Sequence, residues 1–159
     1  MDTTQCDTLI TFFDEYAEHY RHLLTFEREK LQFVMHDDIA ALDVSLSREQ
    51  ALMMKGNALE KRRERMLADM GAAGLNFSAL EEAVPAERRK DIHACHIRIS
   101  NLVTETKRVN EHLMDLVNKK LKLLEKDFHG TDGDKRPDVY TGKGEKKPRQ
   151  IQPLLMRDV

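Results

Sequence analysis

Two pairs of histidines are the first residues whose types and spacing suggest chemistry. His93-Ala94-Cys95-His96 sets two imidazoles three positions apart, and His19 and His22 repeat the spacing. On a helix, residues three apart share a face, so each pair can meet one ion. Zinc takes three or four N, O or S ligands, however, and the sequence sets no second Cys/His cluster beside either pair. The expectation is therefore no metal, with Cys95 as a small apolar seam residue between two partly exposed histidines. A site shared by the two pairs across helices is the competing reading. Glu27, beside Phe26 and near Leu31, is the carboxylate best placed for a buried catalytic role. A structural role, bonded to a Lys or Arg on a neighbouring helix, is expected instead. The basic run Lys61-Arg62-Arg63 lies between Glu60 and Glu64, the pattern of a solvated face with local ion pairs. The sequence has no phosphate-binding glycine loop, nucleophile elbow or dinucleotide fingerprint. It thus predicts no catalytic residue, no cofactor and no enzyme.

The elements that would position these residues are helices. No Pro occurs in residues 1–84 and no Gly before Gly56. Apolar residues recur at steps of three and four, which argues for long amphipathic helices. The first is predicted over residues 4–35, with a stripe that includes Leu9, Phe12, Phe13, Tyr16, Tyr20, Leu24 and Val34. Phe26 and Phe33 widen it into a second seam, as expected of a helix with two neighbours. Asp37 or Asp38 is suited to cap a second helix over 38–70, because an Asp carboxylate accepts unpaired backbone N–H groups. Its stripe is Ile39, Leu42, Leu46, Leu52, Met53, Leu59, Met66, Leu67 and Met70. Gly56 inside it costs about 1 kcal/mol against Ala and marks a bend or a close helix contact. Gly71 should stop this helix.

Ser78-Ala79-Leu80-Glu81 fits a capping box and predicts a short helix over 78–84. Pro85 suits the first turn of a third long helix over 86–128. Ile92, Cys95, Ile99, Leu102, Thr106, Val109, Leu113 and Leu116 follow a heptad. The seam then steps to Val117, Leu121, Leu124 and Phe128, a stutter that locally unwinds a coiled coil. The fold class is all-α: an antiparallel three-helix bundle or coiled coil, up-down-up, with one extended apolar seam over residues 1–128.

Composition agrees. The 159 residues are enough for one domain, 34% are charged, 6% are aromatic and there is no Trp, as in long solvated helices. The net charge of -2 excludes a general attraction to nucleic acid. Charge is unevenly spread, since residues 1–40 hold 9 acidic and 3 basic side chains. The polar N-terminus lacks the pattern of a secretory signal, and no run approaches the ~18 apolar residues of a membrane span. With two cysteines, Cys6 and Cys95, and no disulfide framework, a cytoplasmic location is expected. Of the eight methionines, those at 53, 54, 66, 70 and 114 fall on predicted helices; Met suits adaptable binding surfaces as well as ordinary packing. Residues 129–159 mix Gly, Pro and charge, which predicts a flexible tail. Ile151, Leu154, Leu155 and Met156 end it with an apolar segment suited to hold a partner.

This layout resembles the FlgN family of flagellar export chaperones along nearly the whole chain. The carrying pieces are Leu23 to Leu31 (LLTFEREKL), Asp38-Ile39-Ala40-Ala41-Leu42, Leu59 to Gly71 (LEKRRERMLADMG), Val109-Asn110-Glu111-His112-Leu113, and Tyr140-Thr141-Gly142-Lys143-Gly144. The order and spacing of the pieces carry the resemblance. Lys107 departs from it, standing where many members have a second Asn. The resemblance implies a cytoplasmic chaperone that binds hook–filament junction proteins of the FlgK and FlgL type through their C-terminal segments. It would prevent their premature assembly or aggregation and deliver them to the export gate, without nucleic acid or membrane insertion. Apolar pattern and resemblance together point to Asn110, Leu113, Val117, Leu121, Val139, Tyr140, Gly144, Ile151, Leu154, Leu155 and Met156 as partner-binding residues. Another helical secretion chaperone, or a structural coiled-coil subunit, is the alternative.

Overall fold

The structure, a computed structural model, describes residues 1–130. Four helices follow in order: α1 (Thr3–Met35), α2 (Ile39–Asp69), the short α3 (Phe77–Ala83) and α4 (Arg89–Gly130). No strand occurs among the described residues. The expected tail lies almost wholly outside them, and α4 continues two residues beyond the predicted end at 128.

Local chemistry sets each boundary. Asp2 and Gln5 close a capping box at the start of α1: the Asp2 carboxylate accepts from the Gln5 N–H at 2.8 Å, and the Gln5 amide oxygen accepts from the Asp2 N–H at 2.9 Å. The break after α1 needs neither Gly nor Pro. Asp37 turns left-handed there, with φ 56°, a conformation that Asp tolerates better than most residues. The Asp38 N–H returns to the Phe33 carbonyl at 2.9 Å, and the Asp38 carboxylate then caps α2 through the Ala41 N–H. Gly71 ends α2 as expected, at φ 71°. The Ala72 N–H reaches the Leu67 carbonyl at 2.8 Å and the Gly71 N–H reaches Ala68 at 3.0 Å. With Leu67 and Ala72 both buried, this is a complete Schellman stop.

Two expected boundaries are corrected. Asn76, not Ser78, caps α3, its side chain accepting from the Ala79 N–H. Ser78 falls inside the helix, which frees Glu81 for other partners. Pro85 opens its own turn, closed by the Arg88 N–H on the Pro85 carbonyl at 2.9 Å, so α4 begins at Arg89 and not at 86. Val84, extended at ψ 156°, is held out of the helical region by the following proline.

α1 is the central element. It packs against both α2 and α4, α3 packs against α4, and α2 and α4 make no close approach to each other. Contacts fix the directions. Glu15 meets Arg62 and Lys30 meets Glu49, so α2 runs antiparallel to α1. Asp7 meets Arg88 and Arg28 meets Glu105, so α4 runs parallel to α1. The up-down-up order is as expected.

The core gathers where α3 and the connecting segments close one end. Leu9, Phe12, Phe13, Leu80, Ile92 and Ile99 are among its fully buried side chains, with Cys6 and Cys95 inside as free thiols. Phe26 is also fully buried, which bears out the second seam of α1. The stripe of α2 is corrected: Ile39 is 70% exposed, and Leu46 and Met53 are exposed too. An apolar stripe is buried only as far as neighbours reach it, and among the described helices α2 packs closely on α1 alone.

Gly56 marks a close helix contact. A Cβ there would sit 2.9 Å from Nε2 of His19, a ring that is itself buried. Burial holds the His19 pKa below its ordinary value. Gly56→Ala should therefore destabilise the protein by about 1 kcal/mol or more, despite the better helix propensity of Ala. In a His19→Ala background the same change should turn stabilising. Urea midpoints of the four proteins of this cycle test it; additive effects would show that the ring does not set the need for glycine.

Candidate functional site

The candidate site lies where α4 outlasts its support. The stripe of α4 is buried on α1 through Ile92, Cys95, Ile99, Thr106, Val109 and Leu113. It becomes half-buried at Leu116 and Val117. It then emerges: Leu121 is 52% exposed, Leu124 58% and Phe128 80%. The cause is geometric. α1 ends at Met35, and the Lys120 ammonium pairs with the Asp37 carboxylate of the turn that follows. Helix α4 has 42 residues, about 63 Å at 1.5 Å per residue, and its last turns pass beyond that turn. Leu121, Leu124 and Phe128 fall within one narrow sector of the helix. Ile39, Val44 and Leu46, at the start of α2, add exposed apolar surface.

Four of the expected partner-binding residues are therefore placed, and they divide. Leu121 stands open, Val117 is at the edge, and Leu113 is packed inside the bundle. Asn110 faces inward: its side-chain amide donates to Oε2 of Glu27 at 3.2 Å. Val139, Tyr140, Gly144, Ile151, Leu154, Leu155 and Met156 lie outside the described residues.

Glu27 is structural, although its partners differ from the expected pairing. Besides Asn110, it meets Lys30 of its own helix at 3.6 Å, and the Lys30 ammonium reaches Glu49 of α2 at 2.6 Å. Glu27 and Lys30 are both buried. A buried charge is expensive unless paired, and the chain α2–Glu49–Lys30–Glu27–Asn110–α4 supplies the pairing across all three long helices. A second polar bridge joins α1 to α2 nearer the core. The Tyr16 hydroxyl donates to Glu60 at 2.9 Å, and Arg63 donates to both Glu60 oxygens. Burial alone would raise the Glu60 pKa, but the hydrogen bonds from Arg63 and Tyr16 prevail and hold it low.

The histidine pairs are separated. His19 turns inward against Gly56, while His22 is exposed beside Glu18. Shared ligation by both pairs is thereby set aside. His93 and His96 instead meet Glu81. Glu81 of α3 accepts from Nδ1 of His93 at 3.1 Å through one oxygen and from Nδ1 of His96 at 2.8 Å through the other. The hydrogen bond from His96, followed by that from His93, holds the Glu81 pKa low. No periodicity reveals this pairing, because the turn between α3 and α4 creates it. A groove between the N-terminal parts of α1 and α4 is bordered by Asp7, Asp14, Arg88, Asp91 and Arg98; its charges are engaged in ion pairs of Arg88 with Asp7 and Asp91 and of Arg98 with Asp14. No helix among the described residues is long and apolar enough to cross a membrane.

Asn110→Ala should cost about 1–2 kcal/mol of stability by leaving a Glu27 oxygen short of a partner inside the bundle. Equilibrium urea unfolding checks this. An unchanged midpoint would assign Asn110 to the surface and not to the network.

Compared with known proteins, residues 1–148 match the family described as FlgN protein. No match was found among curated proteins or among solved structures.

Proposed function

The chain belongs to the FlgN family of flagellar export chaperones, and from that premise we propose that its clients are hook–filament junction proteins of the FlgK and FlgL type. It binds their C-terminal segments in the cytoplasm, keeps them from assembling or aggregating early, and brings them to the type III export gate. The family is one of chaperones and not of enzymes.

The observation that carries this reading is the apolar stripe of α4 continuing past the end of α1. A client segment that forms an amphipathic helix resembles α4 beyond Val117 in having an apolar face that α1 does not cover. Laid against Leu121 and Leu124, it takes the place that α1 fills along the rest of α4. Each Leu fully buried in this way contributes roughly 1.5–3 kcal/mol before ordering costs. Those costs are several kcal/mol for a segment that folds on binding, so the affinity is modest and the client can be released. No nucleotide or cofactor enters this scheme.

Val139, Tyr140, Gly144, Ile151, Leu154, Leu155 and Met156 close over the client from its other side, and their apolar members enlarge the buried area. Asn110 and Leu113 act indirectly, by fixing α4 against α1.

Leu121→Glu combined with Leu124→Glu should leave the thermal midpoint nearly unchanged, since both side chains are already exposed. It should weaken binding to the C-terminal segment of a junction protein by at least about tenfold, the equivalent of about 1.4 kcal/mol. Removal of residues 131–159 should also weaken binding about tenfold or more without loss of helicity. Calorimetric titration of each variant with that segment gives the answer. Wild-type affinity in the double variant would mean that the client docks elsewhere.

A further inference from the structure

We propose that Glu81, His93 and His96 form a binding site for one divalent transition-metal ion of the zinc type, where α3 meets α4. The expectation of no metal rested on a missing third ligand, and α3 supplies it. The two oxygens of Glu81 face two separate imidazole nitrogens, Nδ1 of His93 and Nδ1 of His96. One ligand atom from each residue lies within 4.8 Å of the other two. Around tetrahedral zinc, with bonds of about 2.0–2.2 Å, neighbouring ligand atoms are ~3.3 Å apart. The N···O contacts of 2.8 and 3.1 Å are made to different Glu81 oxygens; with the three ligand atoms within 4.8 Å of one another, the widest pair has to close by at most about 1.5 Å to reach that spacing.

Support for the ligands comes from three places. His96 stacks on Phe77, with ring centroids 4.9 Å apart and planes within 2° of parallel, which fixes its ring. Glu81 rides on α3, whose start is set by the Asn76 cap. His93 is one turn before His96 on α4 and is 59% exposed, which leaves room for water in the remaining coordination positions. Two imidazole nitrogens and one carboxylate oxygen favour zinc and the later first-row metals over calcium or magnesium. In the metal-free protein each Nδ1–H donates to Glu81. On binding, each Nδ1 gives up its proton so that it presents a lone pair to the ion, and Nε2 carries the remaining ring proton. Arg89 and Lys90 border the same face and oppose a cation, while the neighbouring Glu82 offsets part of their charge. An ion here would pin α3 to α4 at the end of the bundle opposite the overhang of α4. Binding to the folded state alone raises stability.

The test is calorimetric titration of the untagged, chelator-stripped full chain with ZnCl2, alongside the cobalt(II) absorption spectrum. One zinc ion per chain and a raised thermal midpoint are expected. Glu81→Gln and His93→Ala should each weaken binding by at least about tenfold while circular dichroism keeps the wild-type helicity. His112→Ala, at an exposed histidine elsewhere on α4, should bind as the wild type does. Absence of saturable one-to-one binding overturns the proposal. So does wild-type affinity in either ligand variant, or a loss in His112→Ala equal to theirs.

Discussion

Helix α1 has to bury two faces at once, because α2 and α4 make no close approach to each other. Its aromatic side chains answer that demand. Phe12 and Phe13 fill the closed end, and Phe26 fills the second seam. Farther along, the polar chain of Glu49, Lys30, Glu27 and Asn110 ties both neighbours to α1. A helix that serves two partners leaves each of them only partly covered. The exposed apolar residues of α2 and the open end of α4 both follow from that arrangement.

The overhang depends on one turn. Asp37 ends α1 in a left-handed conformation without a glycine, and Lys120 fastens α4 to the same residue. Up to that point α4 has a partner, and past it the stripe continues without α1. Length mismatch between parallel helices thus creates an apolar surface on a rigid element, where a binding face is better defined than on a loop. Lys122, Glu125 and Lys126 stand among the apolar residues of these turns.

Much of the architecture was legible in the sequence because it depends on periodicity and a few strong local signals. The stripe of α1, its second seam, the stop at Gly71 and the run of α4 all come from such signals. The errors share a cause: they needed tertiary information. Ser78 and Glu81 had the spacing of a capping box, but Asn76 lay two residues earlier with an equally good acceptor. Ile39 and Leu46 had the pattern of buried residues, but both stand exposed at the start of α2. In the candidate site, Leu121 was readable as a stripe residue, whereas the end of its cover depends on where α1 stops relative to α4. The inward turn of Asn110 depends on Glu27, 83 residues away, and the meeting of Glu81 with two histidines depends on the path between α3 and α4. Pattern reports which face of a helix is apolar; it does not report whether another helix is there.

The central claim is that the last turns of α4 provide the apolar surface on which the client helix rests. Amide hydrogen exchange of the full chain, with and without the C-terminal segment of a junction protein, tests it most directly. Slow exchange in α1 around Leu9 to Phe13 should be nearly the same in both states, while exchange over residues 117–128 should slow strongly on binding. Protection that appears only in residues 131–159 or only along α2, with 117–128 unchanged, would contradict the account.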